Sequence, residues 1–95
     1  MSATLTPSFK LGQLFTTPGA MDALLEAGQF PTDFLSRHAR LERGELSEED
    51  HQENLFSVDK ELRIFSAFKT TKGEKLWIIT EADRSCTTIL LPEEY

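Results

Sequence analysis

Residues 63–91 read RIFSAFKTTKGEKLWIITEADRSCTTILL. Three runs rich in β-branched and aromatic residues, RIFSAFK, KLWIITE and CTTILL, are separated by TTKGE and ADRS, whose residues favour turns. Lys72-Gly73 supplies the positive-φ position that a tight hairpin requires. Along the middle run Leu76 and Ile78 fall on one side, Trp77 and Ile79 on the other. Apolar residues on both sides predict a central strand covered on one face by helices and at least partly on the other. The stretch therefore predicts a three-stranded antiparallel meander, ended by Pro92, with EEY as a polar end.

Upstream the pattern turns helical. In TTPGAMDALLEAGQ, Thr17 suits the cap, Pro18 the first helical position and Gly28 the left-handed residue past the end. Met21, Leu24 and Leu25 recur at helical spacing and are the expected buried stripe. FPTDFLSRHARLERG predicts a second helix capped by Thr32, with Phe34, Leu35, His38 and Leu41 on its apolar side. Arg40 and Arg43 are expected in its last turn and Gly44 at its close. In ELSEEDHQENLFSVDKEL, Ser47 and Asp50 stand at capping-box spacing, and Glu48, Glu49 and Asp50 fill the first turn. Leu55, Val58 and Leu62 give that helix its expected core stripe, with Phe56 on a flank and an end near Lys60. Before these helices, FKLGQLF is either a short edge strand or an extended lead-in. The fold class is α+β: three N-terminal helices on a C-terminal three-stranded antiparallel meander, with an extra short N-terminal strand admitted.

A chain of 95 residues has room for one core, so residues 9–95 are expected to form one domain behind a flexible arm, residues 1–8. Sixteen acids against ten bases give a net charge of −6, which speaks against wrapping a polyanion and leaves open an acidic face that imitates one. The sole cysteine, Cys86, excludes an internal disulfide and a cysteine-based zinc site. The opening residues lack the pattern of a secretory leader and no apolar run approaches membrane length, so the expected compartment is the cytoplasm.

Chemistry has few candidates. TEADRS places Glu81, Asp83 and Arg84 where a strand must reverse; Asp83 can fix that turn through amides two residues on. As a catalytic unit Glu81 would be the base and Arg84 an anion clamp, yet a neighbouring arginine lowers the pKa that a base needs raised. His38 lies on an apolar helical side, as a hydrogen-bonded core histidine would. A hydrolase or nuclease would have to assemble His38, His51, Glu53 and Asp83. No HExxH, no serine elbow and no glycine-rich phosphate loop is present, and no metal or cofactor is expected. TTPGA puts a glycine at a helix start, where free amides could hold an anion. The second and third helices loosely resemble a helix-turn-helix, but the would-be recognition helix opens SEEDHQEN, whose acids repel phosphate. Trp77 is either a core anchor or an interface residue.

The segments LGQLFTTPGAMDALLEAG, FLSRHA, EEDHQEN and WIITEADRSCTTILLPEEY resemble a family of small "plasmid-related" proteins carried on plasmids and integrative elements of Gram-negative bacteria. Some of its members bear the label of a type I restriction methylase subunit, which a chain this short does not support. The resemblance runs from Leu11 onward and implies a mobile-element origin without implying an activity. The expected function is then non-enzymatic: an accessory protein that binds a protein partner, in its sharpest form a host defence nuclease complex, through an acidic surface. The candidate partner-binding residues are Glu48, Glu49, Asp50, Glu53, Glu81, Asp83 and Arg84. Alternatives are the small hydrolase above and a dimeric regulatory module joined through an exposed edge of the meander.

Overall fold

The computed structural model describes residues 9–95; the arm expected over residues 1–8 lies outside the described residues. Chain order is β1 (Gln13–Thr16), α1 (Pro18–Ala27), α2 (Pro31–Ala39), α3 (Glu48–Lys60), β2 (Ile64–Lys69), β3 (Lys75–Thr80) and β4 (Cys86–Leu90), followed by a 3₁₀ turn over Pro92–Glu94. The α+β class and the three helices stand as expected. The sheet does so only in part: the short N-terminal strand admitted above joins the meander and makes the sheet four-stranded and mixed, in the order β1-β4-β3-β2. The meander β2-β3-β4 is antiparallel, while QLFT joins β4 in parallel, Gln13 beside Cys86 and Thr16 beside Ile89. Gly12 makes that approach possible. Its φ is +69°, and a Cβ there would stand 2.4 Å from the Ser85 carbonyl oxygen.

Register sorts the strand residues into two faces. Ile64, Ser66 and Phe68 align with Thr80, Ile78 and Leu76, and through them with Thr87 and Ile89. This face meets α1 and α2, where Ala20, Ala23, Leu24, Phe34 and Leu35 close a core with Phe68, Leu76, Ile78 and Ile89. The opposite face carries Phe65, Ala67, Trp77, Ile79, Thr88 and Leu90. Half-buried Trp77 stands edge-on to Phe65 at 5.1 Å and to Tyr95 at 5.8 Å between ring centroids.

Helix ends follow local chemistry. The Thr17 hydroxyl accepts from the Ala20 amide, and Gly28 takes the left-handed conformation. The stripe of α1 is corrected: Ala20, Ala23 and Leu24 are buried, whereas Met21 and Leu25 are exposed. Alanines let the helix sit close to the sheet, so the larger neighbours are turned outward. The start of α2 shifts from Thr32 to Phe30 and Pro31, because Asp33 Oδ2 reaches back 2.8 Å to the Phe30 amide. Its end comes earlier, at Ala39. Leu41 adopts φ 61°, so Arg43 and Gly44 belong to the following loop.

The largest correction concerns α3. Ser47 caps it through the Asp50 amide at 3.1 Å, and it ends at Lys60 as expected. Its buried residues, however, are Asn54 and Ser57; of the expected stripe Val58 is half-buried, while Leu55 and Leu62 are exposed, as is Phe56. Asn54 explains the orientation. Its Oδ1 accepts from the Phe65 amide at 3.0 Å and its Nδ2 donates to the Phe65 carbonyl, so one side chain stands in for a neighbouring strand on the outer edge of β2.

Candidate functional site

His38 proves to be the buried hydrogen-bonded histidine its position on α2 suggests. Nδ1 lies 2.6 Å from Ser66 Oγ and Nε2 lies 2.8 Å from Thr80 Oγ1. Thr80 and Thr87 hydroxyls are 2.7 Å apart, and Thr87 donates to the Leu11 carbonyl at 2.7 Å. Each hydroxyl has one proton, which fixes the direction of the chain. Thr87 gives its proton to Leu11, so it accepts from Thr80, which in turn accepts from His38 Nε2–H. Nδ1 then accepts from Ser66. The series joins α2, β2, β3, β4 and the lead into β1, and all four side chains are fully buried. Burial lowers the imidazole pKa to about 4, keeping it neutral at ordinary pH. A group with no solvent contact and both ring nitrogens engaged is an architectural centre.

The turn between β3 and β4 is equally committed. Asp83 Oδ1 accepts from the Ser85 amide at 3.0 Å, and hydrogen bonding from Ser85 holds its carboxyl below the usual carboxylate range. Arg84, at φ 60°, directs its guanidinium to four carbonyl oxygens: Leu62 at 2.7 Å, Glu81 and Ala82 at 3.1 Å, and Ser57 at 3.2 Å. Its charge therefore sits against the last turn of α3, where the helix dipole favours a cation. Glu81 faces Arg63 across 3.7 Å. Arg84, a candidate for the partner surface, is half-buried and engages Nη1 and Nη2 with carbonyls of its own chain.

The anion suggested for the start of α1 is supplied by the protein itself. Glu94 accepts from the Thr17 hydroxyl, from the Gly19 amide at 3.0 Å and from the Leu91 amide at 2.9 Å. The Thr17 bond foremost lowers its carboxyl pKa. The first turn of α1 has no acid of its own, and a Cβ at Gly19 would meet Glu94 at 2.6 Å. A tail carboxylate fills the place of a dipole-matching first-turn acid.

The four hydrolase candidates are not gathered. His38 is sealed in the core, and Asp83 lies on the β3–β4 turn. Glu53 borders a hollow shared with Ser47, Glu48, Glu49, Asp50, Gln52 and Phe56, which takes in none of the other three. Among the described residues no group of three or more His, Cys, Asp or Glu is placed to hold a metal ion. No helix there is long and apolar enough to cross a membrane.

That hollow on α3 unites four of the seven expected partner residues: Glu48, Glu49, Asp50 and Glu53 share an open depression of about 620 Å³. Glu81, Asp83 and Arg84 do not join it. The acidic start of α3 lies near the β2–β3 hairpin, where Glu45 meets Lys69 and binds the Ala67 carbonyl; its last turn meets the β3–β4 turn through Arg84. Thirteen helical residues, about 20 Å, separate the two ends. Glu48 is held low in pKa mainly by the Gln52 side chain, which donates to it at 2.8 Å, with Arg43 assisting. Phe56, 52% exposed, closes the acidic depression, and Leu55 beside it is 42% exposed. Leu55 thus belongs to the surface rather than to the expected core stripe, and Phe56, expected on a flank, is exposed beside it. Asn54 is the clue in the sequence, a polar residue inside that stripe. Compared with known proteins, the chain matches no family model, no curated protein and no solved structure.

Proposed function

We propose that this protein works by binding another protein through the outward face of α3, without chemistry of its own. One observation carries the proposal: α3 is rotated about its axis, burying Asn54 and Ser57 with Val58 half-buried, while presenting Leu55 and Phe56 to solvent next to Glu48, Glu49, Asp50 and Glu53. An exposed aromatic bordered by acids suits a partner that offers a basic groove with an apolar floor. A nucleic-acid channel on a nuclease has that chemistry, and occupying it would block the enzyme. The net charge of −6 and the resemblance to mobile-element proteins support a host defence complex as the target, whether of restriction or CRISPR type.

The test pairs a cellular assay with a binding measurement. Expression of the wild-type chain is expected to relieve restriction or CRISPR interference with an incoming plasmid. Phe56→Ser and Glu49→Lys/Glu53→Lys are expected to restore that interference and weaken capture of the nuclease complex by about tenfold or more, while remaining folded. Unchanged interference, with no defence component captured from host lysate, would refute the proposal.

A further inference from the structure

The two outer edges of the sheet are treated differently. On β2, Asn54 satisfies the amide and carbonyl of Phe65, and Lys69 adds a charge. On β1 no strand lies beyond among the described residues, since it is the terminal member of the order β1-β4-β3-β2. Its residues Gln13–Thr16, QLFT, include no charge and no proline, the usual guards against edge pairing. Leu14 is 53% exposed and Phe15 51% exposed, so apolar side chains stand uncovered on both faces of one strand. Beside Leu14, a hollow of about 270 Å³ opens between β1 and α2, bounded by Leu11, Leu14, Leu35 and Ala39.

The free hydrogen-bonding groups follow from the ladder. Gln13 and Thr17 donate their amides to Ser85 and Ile89 of the β4 segment, both at 3.0 Å. In a parallel ladder the alternate residues, Leu14 and Thr16, turn their amides and carbonyls away from β4. These two residues are symmetric about Phe15. An antiparallel second copy of β1, placed with the two-fold axis at Phe15, sets Leu14 opposite Thr16 and Thr16 opposite Leu14. Each pair exchanges two hydrogen bonds, so every outward group of the strand is used. Phe15 then faces its own copy at a non-hydrogen-bonded position, where Cα atoms approach to about 4.5 Å and side chains pack closely.

We propose that β1 is a self-association edge, through which two copies join antiparallel about Phe15 into one eight-stranded sheet. The occupant is a second copy because the register closes on itself and because the edge is uncharged in a chain of net charge −6. Along Gln13–Thr16 the two paired strands set no charge against its like, and the hollow beside Leu14, with Arg40 at its border, leaves room for the partner's side chains. This association is independent of the α3 surface and leaves it free.

Sedimentation equilibrium over a wide concentration range tests the proposal directly. A reversible dimer is expected, tightening as salt screens the net charge of the two copies. Phe15→Lys, which places like charges opposite each other, is expected to raise the dimer dissociation constant by about tenfold or more with the far-ultraviolet spectrum unchanged. The register has its own test in a Cys86→Ser background. Phe15→Cys is expected to form an intermolecular disulfide on mild oxidation, whereas Leu14→Cys, diagonal to its copy, is not. A monomer at every concentration, a dimer indifferent to Phe15→Lys, or equal cross-linking at both positions would overturn it.

Discussion

At the scale of single residues, His38 ties protonation to folding. An unfolded imidazole takes up a proton near pH 6.5, whereas burial in the core delays uptake to about 4. The unfolded chain therefore binds the proton first as the pH falls. Stability from this residue is fully present above about 6.5 and is lost progressively toward 4, to a total on the order of 3 kcal/mol. Urea denaturation at a series of pH values is expected to show that loss, with a flatter dependence in His38→Gln, which keeps one donor and one acceptor. An identical slope in the variant would remove His38 as its source. The histidine's burial was legible from its place beside Phe34 and Leu41. Its partners were not, because Ser66, Thr80 and Thr87 are ordinary strand residues until register places them on the helix-covered face. Arg84 gives the opposite lesson: charge and turn position suggested exposure, while its reach to carbonyls of distant segments exists only in three dimensions.

Among the elements, α3 shows what periodicity can and cannot tell. Spacing at Leu55, Val58 and Leu62 identifies an apolar side of a helix, but not whether the sheet or solvent lies against it. The helix is oriented instead by Asn54, whose amide pairs with both backbone groups of Phe65. Asn54→Ala leaves those groups unsatisfied in a part-buried site and is expected to cost about 1–3 kcal/mol in chemical denaturation. Phe56→Ser, two residues on, should change stability less, by about 0.5 kcal/mol, since about half of its surface is already in water. Were the two costs reversed, Phe56 would be the packing residue and the surface proposed for α3 would be lost. The helix starts at Thr17 and Ser47 were readable because capping is local, determined by residues within one turn. The start of α2 was missed by two residues because Asp33 reaches backward to Phe30 and so moves the boundary ahead of Thr32.

For the whole molecule, strand composition was enough to identify β2, β3 and β4 and their antiparallel order, since short turns leave adjacent strands little choice of partner. The place of β1 was hidden: a four-residue strand carries little periodic signal, and its partner β4 is separated from it by residues 17–85. That separation has a kinetic consequence. Pairing first and last strands closes a long chain loop whose entropy is recovered only after the hairpins exist, so β1 should dock late in folding and detach early. Native-state hydrogen exchange is expected to release the Gln13 and Thr17 amides by a low-energy local opening, while the Ile78 amide waits for global unfolding. Equal exchange energies at all three would instead make the sheet one cooperative unit. A strand that loosens without unfolding the body can give up its parallel neighbour and regain it, so the molecule carries at this edge a latch whose state can vary while its core stays shut.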